Sequence, residues 1–475
     1  MTDMKETFSK KLMTLVFPIA FQQFMLSLVS ASDALMLGQL SQDALSAVSL
    51  ASQIAFVENL FLAAMTIGLS MLAAQYWGKK DSDQVERIFA FVLKITAAAA
   101  LVFSVVSLCL PEVLMKIFTS DPVLVKDGAE YLRTVSPSFF LTGLSQIYIC
   151  ILKNTGHAGK SSLISTVSVV SNILLNSLLI FGLLGFPKLG IAGAAFATVV
   201  SRLIELAWCI CETLGKDRVK LRAEYLRGGD SFLRRSFWKY TAPVLGNETV
   251  WGIGFTMYSV IMGHLGNDAV AANSIANVVK NLVSCFCIGL GSGGGIMTGN
   301  ELGAGRLETA KEYGRRLCRL AIITGAASGA VILAMIPLIG SAANLSAQAG
   351  GYLKWMLAIC AYYMVGKSVN STTIAGIFCA GGDSKFGFLC DTVTMWCVTV
   401  PLGFISAFVL KMPVPAVYFI ISLDEIIKLP AVYRNYKKYR WVKNLTAGDT
   451  AAKGADQAEP EETSENEGFR KPEIV

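Results

Sequence analysis

Two stretches of the chain, 225 residues apart, carry the same residues in the same order without a gap. Pro18, Gly38, Leu40, Asp43, Gly68 and Gly78 find their copies at Pro243, Gly263, Leu265, Asp268, Gly293 and Gly303. Both stretches lie among apolar runs long enough to cross a bilayer, which takes about 20 residues each. Twelve such runs can be drawn between residues 12 and 433. A duplication of this size in a polytopic chain limits the fold to two copies of one helical bundle. That is the architecture of a transporter, with its sites near mid-membrane between or within the repeats. Six spans precede the longest hydrophilic connection, so the second half enters the membrane in the same orientation as the first. The repeats are therefore parallel, related by a pseudo-two-fold axis along the membrane normal. The predicted fold class is an all-α integral membrane protein of twelve transmembrane helices in two six-helix bundles. The expected division is a first lobe over 1–214, an inter-lobe linker over 215–238, a second lobe over 239–440 and a disordered tail over 441–475.

Composition agrees with a lipid environment, because 53% of the residues are hydrophobic and only 16% are charged, against roughly 25% charged in a soluble domain. The formal charge of +7 follows from topology. If both termini are cytoplasmic, only Lys116, Lys126, Arg133, Lys188, Lys354 and Lys411 fall in the opposite loops, as the positive-inside rule requires. Nucleic-acid binding would need a basic face with a recognisable module, and none appears. The N-terminus runs into the first span without a small-residue cleavage signature, so it reads as a retained helix. The eleven cysteines lie in or beside spans without zinc-ligand spacing and read as helix-packing residues.

Within the first span, Asp33 follows at least fifteen residues of apolar helix. An ionised Asp at the centre of a span costs roughly 2.5 to 3.5 kcal/mol on insertion scales, so such residues usually face a cavity and serve a function. The plainer reading places Asp33 near the outer end, reaching water. In the fifth span Asn172 and Asn176 stand four apart on one helical face, and in the sixth Ala194 and Thr198 do the same. One carboxylate with several neutral oxygens suits a small hard cation or a proton relay. Interhelical hydrogen bonding, worth about 0.6 kcal/mol per contact, accounts for the same residues equally well.

The second lobe has Tyr258 where the repeat places Asp33, and it carries Asn247, Glu248 and Lys280 instead. An acid and a base in one apolar lobe are held at least cost as a pair, so a Glu248–Lys280 contact is expected, either as a structural ion pair or as a second protonation site. Asp383, at a predicted helix end, is a weaker candidate and also suits a cap. Glu58, Glu205, Lys367, Asp391, Asp424 and Glu425 rank lower still. The GxGxxG match at Gly289, Gly291 and Gly294 follows no strand and reads as close helix packing. No GxxxxGK[ST] loop occurs, which leaves an ion gradient or no energy source. No Ser/His, paired-Asp or HExxH arrangement points to an enzyme.

In their order and spacing, the segments MLGQLSQDALSAVSLA, LAAQYWGKKD, NILLNSLLIFG, GIAGAAFAT, GHLGNDAVAANSIA and GNELGAG resemble those of the multidrug and toxic compound extrusion (MATE) family of the MOP superfamily, over residues 10–440. The resemblance implies two six-helix bundles facing each other in a V around a central cavity with alternating access. It implies a coupling-ion site at Asp33, Asn172, Asn176, Ala194 and Thr198, with Na⁺ held by Asp33, Asn172, Asn176 and Thr198 or a proton carried by Asp33. It also implies that the first helix bends at Pro18. Some members carry Asp where this chain has Asn176, and Trp251 replaces a seventh-span Glu found in several. The reading is therefore a monomeric multidrug antiporter of a bacterial inner membrane, with both termini cytoplasmic. It exports amphipathic or cationic small molecules in exchange for H⁺ or Na⁺, without a cofactor. The alternative is a flippase for a lipid-linked oligosaccharide or peptidoglycan precursor, from the same superfamily.

Overall fold

The computed structural model describes residues 2–215, 218–227, 231–342 and 345–447, and no strand occurs among them. In the first half, α1 (Thr2–Leu40) runs unbroken across Pro18. It is followed by α2 (Gln42–Gly78), α3 (Ser82–Cys109), α4 (Pro122–Asn154), α5 (Ala158–Phe181) and α6 (Gly190–Thr213). Starts are set locally: the Ser41 hydroxyl accepts from the Ala44 N–H at the head of α2, and Asp81 accepts from Gln84 at the head of α3.

The second half repeats the series with α7 (Ser231–Gly263), α8 (Asn267–Gly303), α9 (Leu307–Ala342) and α10 (Ala347–Asn370), the last widening into a π segment over Ser371–Phe378. Next, α11 begins at Ser384–Asp391 and continues in wider turns to Val409. Finally, α12 is broken into Val414–Ile421, Asp424–Ile427 and Leu429–Lys437. Nine of the helices among the described residues are long and apolar enough to cross a membrane. The other three are α7, α10 and α12, which carry Glu248, Lys367 and the Asp424–Glu425–Lys428 group inside the second lobe.

Helices α1 to α6 pack among themselves, as do α7 to α12, and the two sets meet where α1 lies on α8 and α2 on α7 and α8. The contacts across this interface are reciprocal. A Cβ on Gly78 would lie 2.0 Å from the Asn300 carbonyl oxygen, and one on Gly303 would lie 1.9 Å from that of Gln75. Gly68 faces Thr241, and Gly293 faces Val16. Each member of one contact is the repeat copy, 225 residues on, of a member of its mirror contact. A two-fold relation between lobes generates such an isologous pattern, and only glycine lets the backbones approach so closely. The Gly289, Gly291 and Gly294 run serves the same end, with the Gly289 position 2.5 Å from the Ala20 methyl.

Three features close the lobes at the end where α1 begins and residues 441–447 pack. Lys11 of α1 pairs with the buried Glu301 of α8 at 2.8 Å. Gln75 donates to the Ala380 and Lys443 carbonyls and accepts from the Leu445 N–H. Trp441, fully buried, stacks on Tyr436 with ring centroids 5.7 Å apart. The tail expected over 441–475 is corrected here, since 441–447 is packed because Trp441 and Leu445 bury apolar surface against both lobes; 448–475 lies outside the described residues. The linker expected over 215–238 likewise ends sooner. Residues 231–238 already form the start of α7, where Leu233 and Phe237 enter the core around Leu69 and Phe89.

Candidate functional site

Asp33 is half-buried on α1, two turns before the helix ends at Leu40. The α5 and α6 helices approach closely beside it, because a Cβ on Gly193 would already lie 2.7 Å from the Leu179 carbonyl oxygen. That approach brings the four-residue spacings into register. Asn176 Nδ2 donates to Asp33 Oδ1 at 2.6 Å and to Asn172 Oδ1 at 3.2 Å. Asn172 Nδ2 in turn points at Thr198 Oγ1, 3.4 Å away, and at Ser201 Oγ, 3.5 Å away. Thr198 Oγ1 donates to the Ala194 carbonyl at 3.0 Å. Asp33, Asn172, Asn176, Ala194 and Thr198 thus form one connected polar chain across three helices.

The donor set fits a small cation or a proton. Asn176 Oδ1 is buried without a hydrogen-bond partner. Turning that amide by about 180° would exchange the N–H facing Asp33 for this oxygen. Carboxylate, amide carbonyl and hydroxyl oxygens would then converge, the hard oxygen ligands that Na⁺ and similar cations take. Among the described residues no cluster of three His, Cys, Asp or Glu side chains offers a transition-metal site.

Two further acids, Glu205 and Glu58, lie beside this chain. Arg202 pairs with Glu205 at 2.8 Å, and Glu205 also accepts from Ser145 and Ser165. Gln22 of α1 donates to Ser165 at 2.6 Å, so polar contacts reach α1 a second time, eleven residues before Asp33. Glu58 is only 3% exposed, its Oε1 has no partner, and it lines a cavity of about 130 Å³ with Tyr131, Thr198 and Arg202. Its only sequence signal is an acid inside an apolar span.

The expected Glu248–Lys280 contact is absent from the ion pairs of the described residues. Lys280 Nζ stands over the rings of Phe255 and Tyr363, 5.6 and 5.2 Å from their centroids. Phe255 lies seven residues beyond Glu248 on the same helix, about 10 Å along its axis, so Lys280 is at another depth. Asn247 Oδ1 is buried without a partner. Instead, Lys428, 3% exposed, bridges Asp391 at 2.8 Å and Glu425 at 3.3 Å. Lys367 and Asn370 complete the shell of Glu425, at 3.4 and 2.7 Å. Tyr258, at the position of Asp33 in the repeat, hydrogen-bonds Thr399. Asp383 accepts from Asn435 at 2.8 Å; it precedes α11 without capping it through its side chain.

Comparison with known proteins places this geometry in context. The MatE family model matches residues 18–178 and 244–405, so each lobe carries one copy. YisQ of Bacillus subtilis (strain 168), an uncharacterized transporter, is 22% identical over 442 residues, covering 92% of this chain and 96% of its own. A probable multidrug resistance protein NorM of Listeria innocua is 24% identical over 405 residues, covering 83% and 87%. Among solved structures, the Vibrio cholerae MATE transporter VcmN superposes with a TM-score of 0.85 at 16% identity, covering 93% of this chain and 99% of that one. An outward-facing multidrug resistance transporter of the MOP superfamily gives 0.82 at 18%, covering 91% and 96%. The chain belongs to the MatE family of multi-pass membrane transporters.

Proposed function

We propose that this transporter is a secondary antiporter that exports amphipathic, often cationic, small molecules in exchange for H⁺ or Na⁺, with the ion taken at Asp33. The observation that carries this reading is the chain from Asp33 through Asn176 and Asn172 to Thr198, a carboxylate that accepts from one amide at the head of a neutral polar chain and has no cation in ion-pair contact among the described residues. The names of the NorM relatives support the class of cargo. The scarcity of Lys and Arg in alternate loops supports cytoplasmic termini. One inward charge releases about 2.3 kcal/mol per 100 mV, enough to sustain roughly a 50-fold gradient of a neutral substrate.

In this mechanism, ion binding reorients the Asn176 amide and alters how α1 packs on α5 and α6, with Pro18 as the point where α1 can bend. The test is ethidium efflux from proteoliposomes under separately imposed proton and sodium gradients, comparing the intact protein with Asp33→Asn. Efflux driven by one gradient and lost in the variant supports the reading and names the ion. Full efflux in Asp33→Asn removes Asp33 from the mechanism, and no efflux under either gradient turns attention to lipid-precursor translocation.

A further inference from the structure

The second lobe contains a cavity of about 230 Å³ whose wall includes Trp251, Phe255, Lys280, Tyr363, Lys367 and Asp424. Trp251 and Phe255 are stacked one turn apart, with centroids 5.6 Å apart and planes 15° from parallel, and so present a flat aromatic wall. Lys280 and Lys367 project over it: Lys280 Nζ is 5.6 Å from the Phe255 centroid, and Lys367 Nζ is 5.4 Å from that of Trp251.

The charges here are unequally satisfied. Lys367 has Glu425 at 3.4 Å, but that carboxylate is shared with Lys428 at 3.3 Å and Asn370 at 2.7 Å. Among the described residues, Lys280 has no carboxylate within 4.0 Å. Its ring contacts are each worth about 0.5 to 2 kcal/mol, less than the several kcal/mol it costs to hold an unpaired cation away from water. Asp424, the one acid in the wall, is buried at 3% exposure while Lys280 and Lys367 are half-buried, so the two cations front the cavity more than the acid does. Asn277 and Asn281 flank Lys280 on α8 and add amide donors.

We propose, on the antiporter reading above, that this cavity seats the anionic end of the transported molecule. The ligand class is an aromatic carboxylate whose ring lies on Trp251 and Phe255 and whose carboxylate is held by Lys280. The substrates would then include aromatic acids and zwitterions beside the cations expected from the family.

The test is equilibrium binding of radiolabelled 2-naphthoate to the full-length protein in nanodiscs, without any ion gradient, so the result does not depend on whether ethidium efflux is observed. A hydrogen bond to a charged group corresponds to roughly a tenfold or larger change in affinity. Wild-type protein is expected to bind 2-naphthoate at least about tenfold more tightly than uncharged 2-naphthalenemethanol, a comparison that needs no variant. Lys280→Gln is expected to abolish that preference and Lys280→Arg to keep it, with an unchanged melting temperature in both as a check on folding. Equal binding of naphthoate and naphthalenemethanol to the wild-type protein overturns the proposal, as does an undiminished preference in Lys280→Gln.

Discussion

Closure of the two lobes at their terminal end depends on a side chain with no partner nearby in sequence. Gln75 is fully buried, and its amide donates to the Ala380 and Lys443 carbonyls at 2.7 and 3.1 Å and accepts from the Leu445 N–H at 2.7 Å. Gln75→Ala deletes all three bonds and leaves the backbone contacts of Gly78 and Gly303 in place. In a state open at this end, water would satisfy the same groups, so only the net value of each bond counts, about 1 kcal/mol. Three bonds then shift the balance between closed and open by about 3 kcal/mol, or roughly 150-fold. Hydrogen–deuterium exchange in nanodiscs reads this directly, because the Leu445 amide is itself one of the lost donors. Exchange over 441–447 is expected to accelerate by about two orders of magnitude, while peptides from the first turns of α4, roughly 40 Å along that helix from its Asn154 end, stay unchanged. Acceleration of less than about threefold over 441–447 would mean that Gln75 does not hold this end shut, and would refute the reasoning.

Other substitutions test neighbouring parts of the argument. Gly303→Ala would place a methyl 1.9 Å from the Gln75 carbonyl and is expected to cost about 1 to 3 kcal/mol, seen as a lowered melting temperature. Gly350→Ala, with nothing within 4 Å, should leave it unchanged. Lys428→Met strands Asp391 in the second-lobe core, while Glu425 keeps Lys367 and Asn370, and is expected to cost about 3 to 5 kcal/mol, with Lys428→Arg far milder; an unaltered melting curve for the Met variant would contradict the bridge. Asn176→Leu removes the donor to Asp33 and is expected to lower ion-driven efflux about tenfold or more, while substrate binding measured without a gradient persists.

What could be read from the sequence was whatever local periodicity fixes. The repeat located the glycines that meet at the lobe interface, and four-residue spacing on α5 and α6 placed Asn172, Asn176 and Thr198 on faces that do converge beside Asp33. The Glu248–Lys280 expectation failed because opposite charge within one lobe says nothing about depth or helical phase, and Lys280 faces a level two turns further along α7. Lys428 finds Asp391 37 residues away, and Gln75 finds Leu445 370 residues away; neither pairing leaves a periodic trace. The early end of the tail was hidden by averaging, since Trp441 and Leu445 sit at the head of a stretch otherwise rich in Glu and Ala.

Duplication also explains why the lobes hold different chemistry in one frame. At the 226-residue spacing that relates Arg202 to Lys428, Ser165 falls on Asp391 and Thr198 on Asp424. In the first lobe the base is met by Glu205, one turn on, and the Ser165 position supplies only a hydroxyl to that acid. In the second lobe the Ser165 position supplies the acid itself, Asp391, which takes the base at 2.8 Å. Each lobe thus pairs the base at this repeat position, while Asp33 and Glu58 in the first lobe and Asp424 and Glu248 in the second stand outside the ion pairs of the described residues. Of Asp33 and Asp424, Asp33 lies on a helix that also forms the lobe interface, α1. Val16 of α1 faces Gly293, with Pro18 between it and Asp33, about 25 Å further along the helix. A charge change at Asp33 can therefore reach the interface through one continuous element. A change at Asp424, on the broken α12, has to pass through other helices first, by α10 and α8, which also line the Lys280 cavity, or by α11 and α7. If Asp33 takes the ion and the Lys280 cavity takes the cargo, each acts on the same closure from its own lobe. Antiport then requires only that the two favour opposite states of it.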